Sequence, residues 1–301
     1  MSTNSFDGIM TALITPFTKD NLIDWQAFET LLQMQEKAGV QGVVISGTTG
    51  ESPTLSAQEK LSLIRKARAK LPTTIKVIAG TGGNDTNQSV ELSKLAADAG
   101  ADGLLIVTPP YNKPSSAGLH LHFSNIAAST QLPVMLYHVP SRTAQNLSAD
   151  VIADLCKIEK VTSVKEASAD LGLFSRLIQK TPVNVLSGDD PSFLASLAVG
   201  GKGVVSVITN LFPKAFVALY EAFKAGQNDK ALAIHNALFS LMEAMFYEPN
   251  PAPMKFALSL EGVCLNTLRA PLCPLHPESE ERLKELLSKT KKTLKNLGIQ
   301  S

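Results

Sequence analysis

Lys165 ends a short β-branched run, VTSVKEAS over residues 161–168, with only small residues after it. A lysine at a strand end is costly if it is buried and charged. Neutral, it is a nucleophile that forms a Schiff base with a carbonyl compound. Its amine, with a reference pKa of about 10.4, would have to shift by roughly three units to be free near pH 7, at a cost of about 4 kcal/mol. Burial away from carboxylates supplies such a shift. With Val161 and Ser163 on its side of the strand, Lys165 is expected to point inward, and Glu166 to point the opposite way. Taken alone, a strand-end lysine is more commonly a solvated surface residue, so its neighbours decide the matter.

Those neighbours are chemically capable. Gly47-Thr48-Thr49-Gly50-Glu51-Ser52 offers backbone amides and two hydroxyls, which could hold a carboxylate or form a plain turn with a helix cap. Tyr111 and Tyr137, two of only four tyrosines, each follow or sit in an apolar run. They could move protons or be core aromatics whose hydroxyls find a partner. Arg142 could grip a carboxylate bidentately or pair with a surface acid. His120 and His122 invite a metal reading, but residues two apart on a helix do not share a face. No acidic or histidine cluster has metal spacing, and no metal is expected. VGGKGVVSV lacks the Gly-Lys-Ser/Thr ending of a phosphate loop and reads as a helix-to-strand turn.

Eight apolar runs must position these groups. They begin at Ile9, Gly42, Ile75, Gly103, Val134, Val161, Val183 and Gly203. Near-continuous apolar runs of this length suggest strands buried on both faces. Amphipathic stretches lie between them: Trp25, Phe28, Leu31 and Leu32 mark one apolar face. Ser56 with Glu59 forms a capping box, followed by Leu61, Ile64 and Leu71 at helical spacing. Gly39-x-x-Gly42, Gly100-x-x-Gly103 and Gly200-x-x-Gly203 repeat one junction, in which the first glycine suits a helix C-cap. Alternating strands and helices predict an α/β fold, and eight units predict a (β/α)₈ TIM barrel. A doubly wound sheet would usually carry G-x-G-x-x-G after its first strand; here the run ends in Thr15-Pro16-Phe17. The catalytic barrel is assigned to residues 1–226 and a C-terminal helical domain to 227–301. Helices are expected at 228–247 and 277–297, with Leu283, Leu286, Leu287 and Leu294 on one face. Barrel sites sit at the C-terminal strand ends, and there the residues named above collect, together with Ser187-Gly188-Asp189-Asp190.

Composition sets the bounds. The 301 residues carry 28 basic and 27 acidic side chains, which argues against a nucleic-acid partner. No apolar run is long enough to span a membrane, and MSTNSFDG has no leader-like apolar segment. Cys156, Cys264 and Cys273 read as reduced cytoplasmic thiols used in packing, without disulfide or zinc spacing.

GTTGES, GTGGN, TPPYNKPS, YHVPSRT, VKEAS, SGDD and EPNPAPMK occur in the order found in the pyruvate-dependent class I Schiff-base aldolases. The chain resembles, more narrowly, the dihydrodipicolinate synthase family among them, over nearly its whole length. The resemblance implies a lyase that condenses pyruvate with L-aspartate 4-semialdehyde, in the diaminopimelate route of lysine biosynthesis. It also implies a cytoplasmic homotetramer built as a dimer of dimers, with no organic cofactor. Carried over by motif, Lys165 forms the Schiff base, and Thr49 and the loop amides hold the pyruvate carboxylate. Tyr137 relays protons, and Thr48 links it to Tyr111, which reaches a neighbouring subunit's site. Arg142 binds the semialdehyde carboxylate, while Gly188 and Val205 line the site. His138 stands where asparagine is common, with little effect expected. Lysine-sensitive bacterial members carry histidines, an acid and an extra tyrosine where this chain has Ala57, Lys60, Gln88 and Pro110; Asn84 alone is retained. Weak or absent inhibition by lysine is therefore expected. The alternatives are a sister aldolase acting on N-acetylneuraminate or a 2-keto-3-deoxy sugar acid, and an idle keto-acid-binding barrel. Arg142 speaks against the first, and the intact set of Lys165, Tyr137, Thr48 and Tyr111 against the second.

Overall fold

The computed structural model describes residues 6–299. The first five residues, on which the expectation of no leader partly rests, lie outside the described residues. The eight apolar runs become β1 Gly8–Ala12, β2 Gly42–Ile45, β3 Lys76–Gly80, β4 Gly103–Val107, β5 Val134–His138, β6 Val161–Glu166, β7 Asn184–Ser187 and β8 Gly203–Ser206. All pair in parallel and in chain order, and β8 returns to β1, so the sheet closes into a barrel. Alternation explains why each run is apolar throughout. Met10, Val44, Ile78, Leu105, Met135 and Leu186 fill the interior. Their neighbours Ile9, Val43, Val77, Leu104, Leu136 and Val185 face the helices.

The surrounding helices are α1 Trp25–Ala38, α2 Ala57–Lys70, α3 Thr86–Asp98, α4 Ser116–Ala128, α5 Pro140–Thr143, α6 Ala149–Leu155, α7 Leu171–Lys180, α8 Phe193–Ala198 and α9 Pro213–Lys224. Both hydrogen bonds of the Ser56–Glu59 capping box are present. Gly39, Gly100 and Gly200 take φ of 75°, 93° and 108°, the left-handed backbone that lets a helix turn sharply into the next strand. Phe6 closes the barrel floor, its N–H donating to Ser163 Oγ at 3.1 Å. A Cβ on Gly103 would lie 2.2 Å from the Phe6 ring.

Beyond the eighth unit come α10 Asn228–Ala244, α11 Ala252–Leu260 and α12 Pro277–Asn296. Ile234, Leu238, Leu283, Leu287 and Leu294 join the same apolar core as the barrel helices, while Leu286 is only partly buried. The segment 246–250, between α10 and α11, comes over the barrel mouth. Two expectations fail locally. Trp25 remains 38% exposed at the edge of its helix, and Cys273 is exposed instead of packed. Among the described residues no helix is long and apolar enough to cross a membrane.

Candidate active site

β6 delivers Lys165 to the barrel mouth, with Tyr137 of β5 and Leu186 of β7 as its register partners. Its side chain turns inward and is only 6% exposed. The amine stands 4.1 Å from the centre of the Tyr137 ring, and among the described residues it has neither a hydrogen bond nor an ion pair. Burial drives its pKa down to about 7; the charge of Asp190 opposes this and that of Arg142 assists. Gly188 makes the space. A Cβ there would lie 2.9 Å from Lys165 Cε and 2.6 Å from Ala167 Cβ.

Glu166, one residue on, faces away and pairs with His138 at 2.6 Å, both fully buried. The Leu147 N–H donates to His138 Nε2 at 3.2 Å, so that nitrogen carries a lone pair. Nδ1 therefore holds the proton and donates it to Glu166. The second oxygen of Glu166 accepts from the Ser168 N–H at 2.7 Å. The pair clamps β5 to β6 directly behind Tyr137 and Lys165, so His138 has a larger structural part than expected.

The loop after β2 supplies the opposite wall. It is bracketed by two non-glycine residues in left-handed backbone, Ser46 at φ 58° and Glu51 at φ 56°, a conformation that persists only where the surroundings enforce it. Here Glu51 is enforced by a buried ion pair with Lys255 of α11 and by the Arg269 N–H at 3.0 Å. The N–H groups of Gly50, Glu51 and Ser52 turn back to carbonyls of the loop itself. Those of Thr48 and Thr49 have no partner among the described residues, which leaves two donors for an anion. Thr49 Oγ1 accepts from Asn250 Nδ2 at 2.9 Å. Burial pushes the Tyr137 phenol up to about 12, although Arg142 and Thr48 pull it back. It therefore stays protonated across the neutral range and can donate.

These groups converge on a cavity of about 510 Å³ that includes Thr48, Thr49, Tyr137, Arg142, Lys165 and Asn250 in its wall. A neutral amine, anion-binding amides, a phenolic donor and a guanidinium in one pocket can form an imine with a small 2-oxo acid and hold its carboxylate. An adjoining cavity of similar volume shares Thr48, Tyr137 and Arg142 and extends to Lys60, Asn84, Gln88 and Pro110, with no carboxylate in its lining. Burial lowers the Lys60 pKa.

The Dihydrodipicolinate synthetase family model matches residues 5–290. The chain belongs to this family. It is 44% identical to the 4-hydroxy-tetrahydrodipicolinate synthase of Methanocaldococcus jannaschii over 98% of this chain and 99% of that one. The solved synthase of Methylacidiphilum fumariolicum SolV is 41% identical, covers 98% and 99% of the two chains and superposes with a TM-score of 0.95. A chloride-inhibited dihydrodipicolinate synthase from Acinetobacter baumannii, solved in complex with pyruvate, is 36% identical over 95% and 99%, with a TM-score of 0.92.

Within this dihydrodipicolinate synthetase fold, Lys165, Tyr137, Thr48, Thr49, Arg142 and Gly188 come together. Two expected residues do not. Val205 lies in the barrel core beneath the cavity, and Val207, two residues further toward the mouth, lines it instead. Tyr111 points out of the chain, 90% exposed with φ 71°. His122 is buried against Thr86 while His120 is exposed. Sequence reasoning passed over Asn250 and Asp190. The Asp190 carboxylate accepts from the Val207 and Ile208 N–H groups at 3.0 and 2.8 Å, and burial pushes its pKa up to about 6. It was visible only as part of SGDD, and Asn250 only as part of EPNPAPMK.

Proposed function

We propose that this chain condenses pyruvate with L-aspartate 4-semialdehyde, the reaction of 4-hydroxy-tetrahydrodipicolinate synthases, in the diaminopimelate route to lysine. The observation that carries the reading is a buried, unpaired Lys165 beside a protonated Tyr137 and two free loop amides, in a chain of this family. The free amine of Lys165 attacks the pyruvate carbonyl and water leaves. The resulting iminium draws electrons from the methyl carbon, whose proton departs to give an enamine. The enamine carbon attacks the aldehyde. The amino group of the second substrate then closes on the imine carbon and releases Lys165. Tyr137 serves as general acid and base. Thr49 and the amides of Thr48 and Thr49 hold the pyruvate carboxylate, and Arg142 takes the carboxylate of the semialdehyde.

The exposure of Tyr111 supports self-association, in which Thr48 meets a partner's Tyr111 and completes the proton path, within a homotetramer of paired dimers. Residues 227–301 serve as a helical domain that braces the mouth. Localisation to the cytoplasm fits the three free thiols. The uncharged or basic lining around Lys60 and Gln88 supports weak or absent inhibition by lysine; strong inhibition at millimolar lysine or below would contradict this. The reaction is tested by a coupled assay of pyruvate with aspartate semialdehyde, run beside pyruvate release from sugar acids. Turnover only in the second assay would move the chain to a sister activity.

A further inference from the structure

We infer that Asn250, contributed by the C-terminal segment, is a positioning residue that aims the Thr49 hydroxyl at the carboxylate of the 2-oxo acid on Lys165. The inference rests on the Schiff-base reading above and adds to it a residue 201 positions away from the one it acts through. A threonine hydroxyl has one proton to give and two lone pairs to fill. Asn250 Nδ2 donates to Thr49 Oγ1 at 2.9 Å, in a buried setting where water does not compete. With a lone pair occupied from behind, the hydroxyl proton is left to donate forward into the cavity, which both residues line. The free N–H groups of Thr48 and Thr49 flank it, so three donors face one anion.

Asn250 is held as a positioning group should be. It lies between Pro249 and Pro251, and the residue before a proline has a restricted backbone. The Ala252 N–H donates to the Pro249 carbonyl at 3.0 Å and the Lys255 N–H to the Pro251 carbonyl at 2.9 Å, anchoring the segment to the first turn of α11. From that same turn, Lys255 pairs with Glu51 at the far end of the Thr48–Thr49 loop. Loop and helix are thus tied at two points, one at the hydroxyl and one at the strained Glu51. The side-chain carbonyl of Asn250 is buried without a partner among the described residues. An unmet acceptor is a cost that an apolar residue at this place would avoid, which favours a role in the site over simple packing.

The test uses the full chain and two readings: the pyruvate concentration that half-saturates borohydride trapping, and kcat and KM in the coupled assay. Asn250→Ala is expected to raise KM for pyruvate about tenfold, the loss of one well-placed hydrogen bond, with a smaller fall in kcat. Asn250→Asp keeps the shape but can only accept, so Thr49 must turn its proton away from the substrate; a larger rise in KM is expected. Because Asn250 acts through Thr49, the pair Thr49→Val with Asn250→Ala should be no worse than Thr49→Val alone. Multiplying effects in the pair, or an unchanged KM in Asn250→Asp, would overturn the inference. Absence of trapping in the unaltered enzyme would overturn the Schiff-base reading instead, so the two failures are distinguishable.

Discussion

Two buried lysines sit in two regions of this molecule, and nearly everything about them matches except the partner. Lys165 at the barrel mouth and Lys255 at the junction with α11 each stand 4.1 Å from the centre of an aromatic ring, Tyr137 and Phe17. Burial lowers the pKa of both. Lys255, however, touches Glu51, whose charge and hydrogen bond push its pKa back up, and it donates to the Thr267 carbonyl at 2.8 Å. Among the described residues Lys165 has no such contact; Asp190 acts on it only through space, against Arg142. Desolvation alone makes a nucleophile, whereas desolvation with a carboxylate in contact makes a brace.

The comparison can be broken most severely at the amine. Lys165→Ala should reduce turnover by on the order of 10⁴-fold or more, measured by the coupled assay. The two lysines should then part in the sign of their stability effects. Lys255→Met leaves the Glu51 carboxylate buried and unpaired, at a cost of about 3–5 kcal/mol. Lys165→Met should stabilise the fold by about 2–4 kcal/mol at pH 6. The folded pKa near 7 lies below the unfolded value, so the destabilisation caused by Lys165 is complete below pH 7 and fades as pH rises toward about 10.5. Urea unfolding of both variants at pH 6 and pH 10 reads the signs; equal signs would remove the distinction.

Giving Lys165 a carboxylate should convert it toward the other kind. Ala167 lies two residues on and lines the same cavity. Ala167→Asp should raise the amine pKa from about 7 by about two units, so that pyruvate trapping at pH 7 falls about fiftyfold and largely recovers above about pH 9. The mildest change is Asp190→Asn. It removes the one acid that holds the Lys165 pKa up, so the rising limb of the trapping rate should move to lower pH by less than about one unit. Because the Asp190 pKa is itself pushed up to about 6, the difference from the unaltered enzyme should appear only above that pH. A shift to higher pH would contradict the assignment.

What was legible in the sequence follows from range. Strand runs, the Ser56–Glu59 box and the glycines at 39, 100 and 200 are local features, and each forms as its own residues dictate. Lys165, Tyr137 and Thr48 were readable because strand ends in a closed barrel must meet, whatever fills the loops. The failures are places where local pattern stops or distant chain takes over. Val207 lines the wall in place of Val205 because the depth of the cavity floor is set by the side chains that fill the barrel, not by the strand's own alternation. Pairing of His138 with Glu166 depends on register between β5 and β6. Asn250 and Lys255 reach the mouth from a region whose own sequence signals only a turn and a helix, and Lys255 looks like any helical lysine until Glu51 is beside it.

The most direct test of the distinction between the two lysines is the mass of the protein, and of its peptides, after borohydride reduction with pyruvate at pH 8. The expected result is a single reduced pyruvate adduct per chain, located on Lys165, absent from Lys165→Ala and never found on Lys255. An unmodified protein, or an adduct that persists in Lys165→Ala, would contradict the assignment of Lys165 as the Schiff-base nucleophile.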